Sequence, residues 1–153
     1  MDLSRRLRNL ANVVNLSTPL GLVLGRLGGG AFQRHGSLLV AEKVRLPLLN
    51  ASAVTVGDVV LVLGRSLPEA EHGIPRLMEH EEEHAWQWAY CLGLPFIGFY
   101  VVAMAWSTLR HGDRATGNVF ERQAGLASGG YVSRAADAPS ARPGAGSAGD
   151  ATA

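Results

Sequence analysis

Cysteine is almost missing from this chain. Cys91 stands alone, so no internal disulfide can form and no thiolate zinc cage can be assembled; the absence points to a reducing, cytoplasmic setting. Net charge is nearly missing too, at +1, which removes the clustered basic face needed to neutralise phosphates and excludes nucleic acid as the expected partner. Charged residues make up only 18 % of the sequence against 47 % hydrophobic, too much apolar material for a disordered or acidic-tail protein. The 153 residues suit one domain. A clean secretory leader is also lacking. Met1 to Arg8 is basic, but Asn12, Asn15, Ser17, Thr18 and Pro19 break the following apolar stretch and no small-residue cleavage site follows, so the segment is expected to be retained.

One absence divides the chain. Ser133 to Ala153 contains no Val, Ile, Leu, Met, Phe, Trp or Tyr. With nothing to bury, such a segment cannot offset the entropy of ordering, and it reads as a disordered tail behind a single domain over residues 1–132. Within that domain, Leu20 to Leu24, Ser37 to Leu46 and Ala53 to Leu63 carry Val- and Leu-rich runs. Gly28-Gly29-Gly30, His35-Gly36, Asn50 and Gly57-Asp58 punctuate them as turns, which predicts a small antiparallel sheet whose strongest strand is Val59 to Leu63. After Ser66-Leu67-Pro68 the character turns helical. Helices are expected over Ile74 to Leu92 (stopped by Gly93), from Pro95 to about Leu109 (ending near Gly112), and as a short third helix capped by Asn118. The fold class is therefore α+β, sheet first and helices after.

Chemistry concentrates in His80-Glu81-Glu82-Glu83-His84. Residues four apart on a helix lie about 40° apart around the axis, so His80 and His84 share a face and can reach one metal ion. Glu81 flanks that face, where its carboxylate could hold a water; this H-E-x-x-H pattern reads mechanically as two zinc ligands and a general base. The same spacing would also arise on a solvated, charged helix, but here the motif opens an apolar one. Glu82 falls about 200° from His80, whereas Glu83 lies nearer the ligand face and could add negative charge or compete for the metal. Cys91, roughly 10 Å further along the axis than His84, is too far to ligate. Two histidines leave a zinc ion short of a protein ligand, and His111, Asp113 and Glu121 are the downstream candidates. Asn118-x-x-Glu121 also has the spacing of a helix cap and its reciprocal glutamate. Gln87, on the ligand face, could orient a ligand histidine or be a core-edge amide. Tyr100 could stabilise an oxyanion or simply pack.

The segment His80-Glu81-Glu82-Glu83-His84-Ala85-Trp86-Gln87, then Leu92-Gly93-Leu94-Pro95 and Tyr100, then Asn118-Val119-Phe120-Glu121-Arg122-Gln123-Ala124, resembles small bacterial zincin-type proteins that share H-E-x-x-H-x-x-Q, an apolar helix and a terminal N-x-F-E-x-x-A element. The resemblance covers about Val54 to Ala124. It implies a zincin-like helical part, Zn2+ as cofactor, His80, His84 and Glu121 as ligands, Glu81 as catalytic base, and hydrolysis of a peptide or protein substrate. The alternative is a non-catalytic metal-binding or membrane-associated module on the same scaffold. The membrane question arises because Ala85 to Leu109 contains no charged residue, long enough to span a bilayer but interrupted by Gln87, Gly93, Pro95 and Gly98. The favoured expectation is a core role, with Pro95 to Trp106 as the central apolar helix.

Overall fold

The computed structural model describes residues 2–47, 49 and 51–131; the tail from Ser133 onward and the turn residue Asn50 lie outside them. The fold is α+β, with six helices and four strands in the order α1 (Leu3–Val14), α2 (Ser17–Leu27), β1 (Ala31–His35), β2 (Leu38–Val44), β3 (Ala53–Val56), β4 (Val59–Leu63), α3 (Leu67–Gly73), α4 (Leu77–Tyr90), α5 (Pro95–His111) and α6 (Val119–Ala124).

Two glycine turns make two hairpins. Gly36 and Gly57 adopt left-handed backbone that other residues resist, and β1 pairs antiparallel with β2 as β3 does with β4. The sheet is nevertheless mixed and not antiparallel, because its order is β1-β2-β4-β3 and the central pair β2–β4 is parallel. The sequence of β4 explains this. Val59, Val60, Leu61 and Val62 are apolar without alternation and all fully buried, which suits a central strand covered on both faces and not an edge.

Helices cover both faces. On one, Val40, Val60 and Val62 pack with Leu67, Ala70, Leu77 and Ala85 of α3 and α4. On the other lies α2, which replaces the strand expected at Leu20 to Leu24. Apolar runs of that length fit either element, and here Gly21 and Gly25 decide: a Cβ at Gly21 would lie 2.5 Å from the Val56 carbonyl, and one at Gly25 would lie 2.7 Å from the Phe32 ring. The missing side chains let a helix lie close against the sheet. Helix α3 is an additional helix ahead of the one expected from Ile74, started where Glu69 accepts hydrogen bonds from both the backbone N–H and the hydroxyl of Ser66, a capping arrangement.

The largest departures are α1 and α5. Helix α1 turns its polar side inward: Arg8 and Asn12 are fully buried, while Leu3, Leu7, Leu10 and Val14 face out. The Arg8 guanidinium donates to Asp58 at 3.0 Å, to Glu82 at 3.1 Å and to Ser37 at 2.9 Å, and Asn12 donates to Asp58 and to the Ala85 carbonyl. Thr18 completes the Asp58 shell. A buried ion pair whose remaining polar atoms are satisfied is tolerated, and this one ties α1 to the middle of α4. Burial opposes the Glu82 charge, but Arg5 and Arg8 outweigh it and hold its pKa below the usual carboxylate range. Helix α5 is not the central core helix. It buries Phe96 and Ser107 and leaves Ile97, Phe99, Val101, Val102, Trp106 and Leu109 exposed. The core is instead the sheet with α2, α3 and α4. Leu92, Gly93 and Leu94 break the uncharged stretch into two helices, and among the described residues no single helix is long and apolar enough to cross a membrane.

Candidate metal centre

The site is built by α4 and α6. His80 and His84 lie one turn apart on the buried face of α4, and Glu121 sits in the first turn of α6, which is packed against α4. All three are almost fully buried, at 3, 8 and 2 % exposure. Their ligand atoms lie within 4.8 Å of one another: His80 Nε2 is 3.1 Å from His84 Nε2 and 3.3 Å from Glu121 Oε2, and His84 Nε2 is 3.7 Å from Glu121 Oε1. This His80–His84–Glu121 group could hold a metal ion.

Neighbouring acceptors set the histidine tautomers. His80 Nδ1 lies 3.2 Å from the Gly125 carbonyl, which can only accept, so Nδ1 carries the proton and Nε2 presents its lone pair. Gln87 does the same for His84. Its amide nitrogen donates to the Phe120 carbonyl at 2.9 Å, which turns its oxygen toward His84 Nδ1 at 2.8 Å. Two Nε2 lone pairs thus face each other, and beside them Glu121 Oε2 is buried without a hydrogen bond. Converging lone pairs and an unpartnered carboxylate oxygen are what a cation would relieve, so the residues fit a metal on their own chemistry. The surrounding carboxylates favour positive charge at this point. Burial disfavours the imidazolium of His80, yet the Glu121 and Glu81 carboxylates overcome it and raise its pKa; burial likewise opposes the Glu121 charge, and the two histidines and Tyr100 overcome that and lower its pKa.

Glu121 is not consumed by its helix cap. The Asn118 side chain accepts from the Phe120 N–H, while the Glu121 carboxylate turns to the histidines and accepts from the Tyr100 hydroxyl. The other two candidates are placed elsewhere. Asp113 accepts from the Ala115 and Thr116 N–H groups, which lower its pKa, and His111 is exposed at the end of α5 against Gly117. Glu83 is exposed and does not face the ligands, and Cys91 sits at the end of α4, half-buried in the core. Glu81 is buried and accepts from Thr55 Oγ1 at 2.7 Å, so β3 fixes one of its carboxylate oxygens; the Trp88 indole donates to the Thr55 carbonyl and anchors the same strand. Tyr100 lies edge-on to His84, and burial followed by the Glu121 carboxylate raises its pKa.

The segment after α6 carries what the sequence did not signal. Gly129 presses its backbone on His80, where a Cβ would lie 2.6 Å from Cε1 and 2.9 Å from Nε2. Tyr131 places its ring 6.2 Å from that of His80, and burial, with Glu121 and Glu81 nearby, raises its pKa. Neither residue belongs to a spaced pattern; only the Gly125-to-Gly130 glycines hinted at a close backbone approach. No family model, curated protein or solved structure matches this chain.

Proposed function

We propose that this protein is a zinc-dependent hydrolase of minimal metallopeptidase type, acting on a peptide or protein substrate. The observation that carries the reading is the buried His80–His84–Glu121 group with Glu81 beside it. Two imidazoles and a carboxylate, with no thiolate, are a donor set suited to zinc with an open position. His80, His84 and Glu121 would hold the zinc ion, which would supply Lewis acidity for activating a water and polarising a scissile carbonyl.

The protein's own groups do the rest. Thr55 holds Glu81 Oε2, which leaves Oε1 to take a proton and deliver it to the leaving amine. Gln87 and the Gly125 carbonyl keep both histidines in the ligating tautomer. Tyr100 occupies one oxygen of Glu121 and limits how that carboxylate can turn. The isosteric Glu81→Gln substitution tests the assignment. Zinc content should stay at about one ion per chain, while cleavage of a quenched-fluorescent peptide library should vanish. Library cleavage undiminished in that variant would remove Glu81 as the base.

A further inference from the structure

Helices α1 and α5 present the reverse of what water selects. In α1 the buried side chains are the polar Arg8 and Asn12, and the outward stripe is Leu3, Leu7, Leu10 and Val14, all within about 40° of one line along the helix. In α5 the exposed positions Ile97, Val101, Leu109, Val102, Trp106 and Phe99 span an arc of about 200°. The turn before α5 packs on the residue that ends α1, Gly93 against Asn15, and Leu16, Leu92 and Leu94 in these two turns are exposed as well. Between α5 and α6 the surface deepens into an open apolar groove of about 450 Å³ between Phe99, Val102, Trp106, Val119 and Phe120, with no charged side chain in its walls. An exposed apolar face with a groove of this kind marks an interaction site.

We propose that α1 and α5 seat this protein on an anionic lipid bilayer, lying in its surface without crossing it. Three observations choose this occupant. A facing helix from a second copy covers a stripe of roughly 100°, whereas α5 exposes about twice that arc, which a non-directional hydrocarbon medium can cover. The cations sit at the borders: Arg6 falls about 60° from the Leu3 line on α1, and Arg110 closes α5 with its guanidinium 5.2 Å from the centre of the Trp106 ring. Neither arginine enters an ion pair among the described residues, and α5 contains no acidic residue. A tryptophan and an arginine at the rim of an apolar span suit the headgroup layer. Finally, residues 133–153 contain no large apolar side chain and cannot supply the cover themselves. This inference stands independently of the metal centre.

Flotation of the full chain with phosphatidylcholine vesicles, with and without one-third phosphatidylglycerol, tests it. The wild type should float with the anionic vesicles and bind roughly tenfold or more weakly to neutral ones. Leu7→Glu and Val102→Glu, both at exposed positions, should abolish flotation with an unchanged circular dichroism spectrum. Should either fail to fold, Arg6→Gln with Arg110→Gln should remove the preference for anionic lipid. Wild-type protein left at the bottom of both gradients would overturn the proposal. So would a stable dimer in solution that Val102→Glu splits, since a second copy would then be the occupant.

Discussion

Helices α4 and α5 follow one another in the chain and are similar in length, yet they treat their side chains in opposite ways. Helix α4 is charged and buries His80, Glu81, His84 and Gln87; helix α5 has no charge before Arg110 and leaves most of its apolar residues outside. Hydropathy alone predicts the reverse. Helix α4 can bury its polar side chains because each has a partner: Thr55 for Glu81, Gly125 and Gln87 for the histidines, and Phe120 for Gln87, while Tyr100 partners Glu121 of the facing α6. The remaining unmet need, the two Nε2 atoms and Glu121 Oε2, is concentrated at one point. Helix α5 contributes Phe96 and Tyr100 to the interior, and among the described residues no second layer covers it. Burial here follows the partners available and not the mean hydropathy of a segment.

That contrast can be broken from the polar side first. Removing the Arg8 guanidinium strands Asp58 with Asn12 and Thr18 only, so Arg8→Ala should cost about 3–5 kcal/mol in urea unfolding. A loss below 1 kcal/mol would mean that the network does not hold α1 on α4. A smaller effect is expected one step from the ligands. Gln87→Ala releases the His84 tautomer and should weaken zinc roughly 10- to 100-fold in competition with a chelator, while the fold is kept. Unchanged affinity would reduce Gln87 to a packing amide. The smallest effect belongs to α5. Val102→Ser removes an exposed apolar group, 70 % accessible, and should leave stability within about 0.5 kcal/mol in dilute buffer. A loss of several kcal/mol would show that α5 is covered within the folded chain.

The α+β class, the hairpin at Gly57, the H-E-x-x-H helix and the Asn118-capped helix with Glu121 were legible because each rests on local spacing, whereas Gly36 reads as a turn without the strand Ala31–His35 before it. The parallel β2–β4 pairing was not, since it depends on which hairpin strand turns inward, and only the unbroken apolar run of β4 bears on that. Leu20 to Leu24 reads as strand until Gly21 and Gly25 meet the sheet. An uncharged helix such as α5 looks like a core element from its composition, because sequence records what a segment avoids and not what covers it. Tyr131 and Gly129 reach the site through the chain's path after α6, which no periodicity encodes.

The central claim is that His80, His84 and Glu121 form one metal centre. Its most direct test is metal analysis of the purified chain beside Glu121→Ala, which removes the carboxylate that α6 brings to the two histidines and that accepts a hydrogen bond from Tyr100. The account predicts about one zinc per wild-type chain and near-complete loss in the variant, with the circular dichroism spectrum retained. Wild-type protein free of metal after zinc loading, or equal occupancy in the variant, would contradict it.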